Sequence, residues 1–287
     1  MNICVPYKNK SKSSLVASEI MIDIKTIEQL VELKKNQLNE KYTKDNKRLV
    51  FNLNYVLLKE LSVEAIIDFY NSIMYENKVI RLEVSQTFFR DQVDLYEKLY
   101  NNKVDFFISK NAAEWNDLHM LLALPVTDIY VTEDLCFNLP EVADYIHSYG
   151  RRVRVYPNVV QNKYSGLFED YTGFFIRPDD VFLYEPYVDT LEIWGVKNNA
   201  MSWINIYDKN RRWAGPLNEI IIGLKTPIDN RDLGKDFGLN RMSCGRRCIR
   251  PNSKCQRCKF WVEFAQGKTE QKKFLAEMEA QIDALGE

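Results

Sequence analysis

Four of the chain's six cysteines fall in one short run, Cys244-x3-Cys248-x6-Cys255-x2-Cys258. Four thiolates this close can converge on one centre, and a Cys-x2-Cys pair is the usual knuckle of a tetrahedral zinc held by sulfur. Gly245, Pro251, Asn252 and Ser253 lie between the ligands and supply the turns that fold the two pairs together. A structural zinc on Cys244, Cys248, Cys255 and Cys258 is the leading expectation. An iron–sulfur cluster is the alternative, because four cysteines suit that centre equally. Unliganded cysteines or two disulfides are the plain reading. Four sulfurs fill the coordination sphere of zinc, so such a site holds structure together instead of activating water.

Seven basic residues surround these ligands: Arg241, Arg246, Arg247, Arg250, Lys254, Arg257 and Lys259, with no acidic residue between 241 and 261. A zinc with four thiolates carries a net charge of about −2, which nearby cations stabilise. That needs only some of the seven. The surplus, Arg246, Arg247 and Arg250 above all, is expected to meet an anionic substrate. Phe260 and Trp261 are available for base stacking, which makes RNA or DNA a candidate partner.

The rest of the chain must position any further chemistry. Short runs of β-branched and aromatic residues alternate with helical patterns, as in βα units around a parallel sheet. Strands are expected at Ile3–Tyr7, Arg48–Asn54, Val79–Ser85, Val104–Lys110, Val126–Glu133, Arg151–Asn158, Gly173–Pro178 and Val188–Gly195. Helices are expected with apolar positions at Ile24, Ile27, Leu30, Val31 and Leu38, from Ser62, and around Asp91–Tyr100, Ala112–Leu122 and Leu139–Tyr149. Eight strands predict a TIM-type (βα) barrel over residues 1–196. An open doubly wound sheet is disfavoured, since no strand is followed by a glycine-rich phosphate loop. From about Lys197 the alternation stops. Residues 197–287 read as an extension with a short helix at Ala200–Tyr207, the cysteine module and a charged helix over Thr269–Leu285.

Barrel enzymes place their chemistry at the C-terminal ends of the strands. The polar residues there are Asn52, Asn54, Glu83, Ser85, Ser109, Lys110, Glu133, Asp134, Asn158, Gln161, Arg177 and Glu192. A carboxylate inside an apolar strand is costly to bury unless it is paired or used, so Glu83, Glu133 and Glu192 are the candidate catalytic residues. Lys110, Asn158 and Arg177 are the candidate substrate contacts. Both histidines, His119 and His147, fall in outer helices, which disfavours a hydrolase with a histidine base. There is no HExxH, GxSxG or Walker segment either. Cys136 follows a strand but reads as a packing residue, as does Cys4.

With 46% hydrophobic residues the chain is rich enough in apolar mass for a large core. The 39 Lys plus Arg against 40 Asp plus Glu exclude a general attraction to polyanions, so any such partner must use a local patch. No apolar run reaches the roughly 20 residues of a membrane span, and the first residues do not read as a signal peptide. A cytoplasmic protein with no membrane partner is expected, in keeping with a metal-type cysteine cluster.

Two segments resemble the collagenase-like (U-thirty-two) peptidase family and its relatives. TDIYVTEDLCFNLPEVADYIHSYGRRVRVYPNVVQN, residues 127–162, is similar to that family's strand, helix and strand ending in an Asn-Val-x-Asn type turn. PDDVFLYEPYVDTLEIWG, residues 178–195, looks like a later unit with a VDxxKIEGR-like strand. The resemblance covers about 70 residues and implies a (βα) barrel. It implies that Glu192 and Gly195 line the site with Asn158 and Asn162 opposite and, as in several relatives, that four cysteines hold an iron–sulfur cluster. The sequence departs from the pattern at Ile193 and Trp194, so the family's Lys and Arg have no equivalents, and its four cysteines lie together after the barrel. The expected function is a barrel that binds or modifies a nucleic acid or other anionic substrate. A non-catalytic barrel serving in a protein complex is the alternative.

Overall fold

The computed structural model describes residues 1–6, 17–35, 46–85, 92–136, 138–160, 174–195, 204–207, 212–224, 228–234, 237–238 and five positions between 267 and 277. Cys244, Cys248, Cys255, Cys258, Arg246, Arg247 and Arg250 lie outside the described residues, as does most of the expected helix over Thr269–Leu285.

Nine strands form one parallel sheet among the described residues: β1 Asn2–Pro6, β2 Glu19–Ile24, β3 Arg48–Leu53, β4 Lys78–Leu82, β5 Phe106–Ile108, β6 Asn111–Ala112, β7 Asp128–Val131, β8 Arg152–Val155 and β9 Thr190–Glu192. The order is β5-β4-β3-β2-β1-β9-β8-β7-β6. Its two ends are halves of one strand path, since only Ser109 and Lys110 separate β5 from β6. β5 pairs with β4 and β6 with β7. Across that junction Thr127 N donates to Phe106 O at 2.8 Å and Thr132 N donates to Ala112 O at 3.0 Å. The sheet therefore curls until its ends meet, which is a TIM-barrel-like fold with eight strand positions.

Helices follow the strands on the outside: α1 Ile27–Lys35, α2 Tyr55–Glu60, α3 Val63–Ser72, α4 Val93–Asn101, α5 Trp115–Leu122, α6 Glu133–Cys136, α7 Leu139–Ser148 and α8 Val181–Tyr184. Their starts follow local chemistry. Asn54 Oδ1 accepts from Leu57 N and Ser62 Oγ accepts from Ala65 N, each satisfying an amide that the first helical turn leaves free. The strands alternate as a closed sheet requires. Ile20, Ile22 and Ile24 or Leu49, Phe51 and Leu53 point outward into the core shared with the helices. Cys4, Met21, Val50, Val79, Phe107 and Tyr130 point inward and pack on one another, with Tyr156 against them.

Two expectations about strands are corrected. β2 was hidden in SEIMIDI, where the helical pattern was begun at Ile24. Its inward positions are Glu19, Met21 and Asp23, so the polar face of the strand is the one inside the barrel. Of the expected strand at Gly173–Pro178, the described residues 174–178 contribute no strand to the sheet. Ile176 N bonds Pro157 O beyond the end of β8, and Pro178 opens a short 3-10 turn at Pro178–Asp180 that leads into α8. A second core gathers there: Phe175, Leu217, Ile220, Ile221, Leu224, Ile228, Leu233 and Phe237, with Val160 and Trp213 against it. It joins the barrel through a parallel bridge in which Ile222 N donates to Asn158 O at 2.7 Å and Val160 N donates to Ile222 O at 2.8 Å. Tyr207 donates to Ile176 O at 3.1 Å. The described residues from 204 to 238 thus pack on the barrel's β8 and β9 side. No helix among the described residues is long and apolar enough to cross a membrane.

Candidate active site

The N-terminal end of the barrel is closed by charge. Arg154 is fully buried, donates from Nη1 and Nη2 to Glu19 Oε2 at 2.9 and 2.8 Å, and reaches Asp128 Oδ1 at 3.1 Å. Arg48 meets both oxygens of Asp128, Arg152 adds a bond of 3.0 Å to Glu19 Oε1, and Thr190 donates to the same oxygen at 2.9 Å. The Arg154 guanidinium lies 4.7 Å from the Phe107 ring centroid, which shields it from above. Burial raises the pKa of Asp128, but the hydrogen bonds and charge of Arg48, then Arg154 and Arg152, outweigh it and hold this carboxyl well below the usual range.

The C-terminal end is open. A cavity of about 450 Å³ lies there between Asp23, Lys25, Asn52, Asn54, Arg81, Glu83, Ser109, Glu192 and Trp194, with Met21 on its floor. Three of these side chains come from neighbouring strands in strict register: Asp23 on β2 opposite Asn52 on β3, and Asn52 opposite Arg81 on β4. Asn52 Nδ2 donates to Asp23 Oδ1 at 2.8 Å, while Asn52 Oδ1 is buried with no hydrogen-bond partner among the described residues.

Arg81 is the most telling residue of the cavity. Only 8% of its surface is exposed. Its one hydrogen bond among the described residues is a weak one, Nη1 to Met21 Sδ at 3.4 Å, and its Nε has no partner there. Its guanidinium lies over the Tyr130 ring at 5.3 Å. No carboxylate of the described residues lies within 4.0 Å of it, in contrast to Arg48, Arg152, Arg154 and Arg177. Burial acts to lower its pKa, but Tyr130 and Glu192 beside it act the other way and hold it above the usual arginine value, so the charge stays.

Glu192 is fixed from three sides. Its Oε2 accepts from Tyr130 Oη at 2.6 Å, its Oε1 accepts from Trp194 Nε1 at 3.3 Å, and Arg154 Nη2 lies 3.5 Å away. Burial first, and then Glu192, pushes the Tyr130 hydroxyl well above its ordinary pKa, so it remains a donor. Tyr156 stacks on Tyr130 with centroids 5.1 Å apart and meets Trp194 edge-on at 5.7 Å, forming an aromatic wall. Trp194 is held by a reciprocal pair: its N donates to Asn158 Oδ1 at 3.0 Å and Asn158 Nδ2 donates to its carbonyl at 2.8 Å.

Of the residues singled out from the sequence, the carboxylates Glu83 and Glu192 face this one cavity together with Asn52, Asn54, Ser109 and Gly195, with Glu83 exposed at its rim. Asn158 acts on it through Trp194. Glu133 opens α6 with a positive φ of 49° and does not line the cavity. Lys110 pairs with Asp117 at 3.3 Å. Arg177 clamps Asp180 at 2.6 and 2.8 Å, Asn230 Oδ1 at 3.1 Å and Gly234 O at 3.2 Å, so it sits within the second core. His147 meets Asp189 at 2.9 Å beside the N-terminal end of β9, and Cys4 and Cys136 are buried thiols whose pKa burial pushes up. Among the described residues no three His, Cys, Asp or Glu side chains converge as a metal site.

The polar and aromatic lining residues not singled out are Asp23, Lys25, Arg81 and Trp194. Arg81 had a signal: it stands two positions before Glu83 in VIRLEVS, hence on the same inward side of its strand. Asp23 belongs to β2, for which no strand was expected; the helical pattern was begun one residue later, at Ile24.

No family model matches the chain. No curated protein matches it either. Among solved structures it is similar to a conserved protein of unknown function from a locus in Enterococcus faecalis, at 13% identity and a TM-score of 0.43, over 75% of this chain and 68% of that one. It is similar also to the tryptophan synthase α subunit of Campylobacter jejuni, at 13% identity and a TM-score of 0.43, over 77% of this chain and 95% of that one.

Proposed function

We propose that this protein binds a small anionic molecule in the C-terminal mouth of its barrel, with Arg81 as the group that holds the anion. One observation carries the reading: a buried guanidinium, facing a cavity, that lacks a carboxylate partner among the described residues. A buried charge without an ion-pair partner is costly, and an arginine presents several donors in a fixed fork that suits a carboxylate or phosphate. A cavity of about 450 Å³ is the size of a site for a metabolite. Beside the anion, Glu83 and Glu192 are the carboxylates placed to exchange a proton with it, and Trp194, backed by Tyr156, bounds the space around its apolar part. Glu192 and Gly195, which the peptidase-family resemblance assigns to the site, both line this cavity. That supports carrying the resemblance forward for these residues alone.

The test is calorimetric titration of small carboxylates and phosphates into the wild type and into Arg81→Met and Arg81→Lys. Loss of the charged hydrogen bonds costs about 1.5–3 kcal/mol, so Arg81→Met is expected to weaken binding by about ten- to a hundredfold, with Arg81→Lys between. Equal affinity for wild type and Arg81→Met removes this reading.

A second reading concerns the cysteine module. Its seven cations and absence of acids between 241 and 261 support a polyanion contact, RNA or DNA, on a zinc-held loop. Changing Arg246, Arg247 and Arg250 together to Ala is expected to lower the affinity for a labelled oligonucleotide and flatten its salt dependence. A retained slope speaks against it.

A further inference from the structure

We infer that the ligand of this cavity is a zwitterion, a small molecule of amino-acid type that carries a protonated amine close to its anionic group. The inference rests on the reading of Arg81 given above and concerns the other side of Asn52. Asp23, Asn52 and Arg81 occupy register positions on three adjacent strands. Neighbouring strands lie about 4.8 Å apart, so the row from Asp23 to Arg81 spans roughly 10 Å at the backbone.

The amide of Asn52 fixes the polarity of that row. A carboxylate only accepts, so the Nδ2 of Asn52 must face Asp23, as the 2.8 Å contact requires. Oδ1 is then turned elsewhere, on a side chain only 7% exposed, and no donor among the described residues reaches it. A buried acceptor without a donor is as unfavourable as a buried donor without an acceptor, and both occur here one strand apart. Asp23 has no cation within 4.0 Å among the described residues, and its exposed carboxylate stands at the same lip.

The row thus presents a negative end, a neutral acceptor and a positive end in order. A simple organic anion satisfies Arg81 and leaves Asn52 Oδ1 without a donor and Asp23, which accepts from Asn52, without a cation. A hydroxy acid supplies a donor to Oδ1 but no charge for Asp23. An ammonium group next to a carboxylate answers all three.

The experiment titrates three matched series into the full-length protein: amino acids, the hydroxy acids in which hydroxyl replaces the ammonium, and the amines that lack the carboxylate. The wild type is expected to favour the best amino acid over its hydroxy acid by about ten- to a hundredfold, as charge-assisted hydrogen bonds imply. Asp23→Asn, isosteric and at an exposed position, is expected to shrink that ratio to a few-fold while binding of the hydroxy acid is kept. Its thermal unfolding checks that the fold is intact, and Asn52→Leu gives a second route to the same loss. Equal binding of amino acid and hydroxy acid by the wild type overturns this inference and leaves the anion site standing. So does a preference that survives Asp23→Asn. Binding by none of the three series overturns this inference, and overturns the anion site as well when phosphates also fail to bind; binding indifferent to Arg81→Met overturns both.

Discussion

Arg48 and Asp128 meet inside the barrel through two parallel hydrogen bonds of 2.7 Å, Nη1 to Oδ1 and Nη2 to Oδ2, joining β3 to β7 across the N-terminal end. Asp128 also accepts from Arg154, so removing its charge takes a carboxylate partner from buried Arg154 and from part-buried Arg48, leaving Glu19 to both. Asp128→Asn is expected to cost about 3–5 kcal/mol of stability, read as a lower urea midpoint at unchanged slope.

The same cluster sets the response to acid. The folded-state pKa values of Asp128 and Glu19 are both lowered, Glu19 by Arg154 and Arg48 against the opposing effect of burial. A carboxyl with a depressed folded pKa adds stability above its unfolded value, about 3.9 for Asp and 4.3 for Glu, and loses it as the pH falls toward the folded one. Stability is therefore expected to fall steeply below about pH 4, and urea titrations at stepped pH values will show it. In Asp128→Asn the acid-dependent part shrinks.

Arg177 tests whether an arginine serves structure or ligand. It is 2% exposed, bonded to Asp180, Asn230 and Gly234, and stacked at 4.9 Å on Phe237. Arg177→Met strands the Asp180 carboxylate, itself 5% exposed. A loss of about 3–5 kcal/mol is expected, with the ligand affinity of the folded protein unchanged. Weaker binding without a loss of stability would return Arg177 to the substrate contacts.

Gly195 closes the strand that carries Glu192. Its φ is +69°, and a Cβ there would meet Ile222 Cδ1 at 2.3 Å. Gly195→Ala is expected to destabilise by about 1–3 kcal/mol, part from the left-handed backbone and part from the collision. Adding Ile222→Val removes the colliding methyl, so the double variant should recover the steric part only. A thermal melt of the two variants and Ile222→Val alone completes the cycle.

For the cysteines the expected outcome of anaerobic purification is about one zinc per chain without visible absorbance. About four irons with a broad visible band would select the iron–sulfur reading.

The fold was legible where strands show their apolar side and illegible where they do not. Val79, Ile80 and Leu82, or Ile129, Tyr130 and Val131, announce themselves because both sides of a barrel strand are dry. Glu19, Met21 and Asp23 hid β2, since a charge network at one end and the lip of a cavity at the other put polar groups where an apolar stripe was sought. Gly173–Pro178 misled for the opposite reason: Phe174, Phe175 and Ile176 are buried, but their burial is divided between the barrel's outer core and the second one. In the site, Glu83 and Glu192 could be read because acids in apolar strands stand out. Arg81 could not be ranked, because sequence does not show which arginines lack an acid opposite. Arg154 and Arg81 look alike on paper, and only position separates the one braced by carboxylates from the one with none within 4.0 Å among the described residues.

The closed floor has a kinetic consequence. Among the described residues, Glu19, Asp128 and Arg154 are shut away from solvent beneath Phe107 and Tyr130, while the cavity between Asp23 and Trp194 opens at the other end. For the ligand proposed above, entry and exit would then share one side of the barrel, so a bound molecule and an arriving one exclude each other.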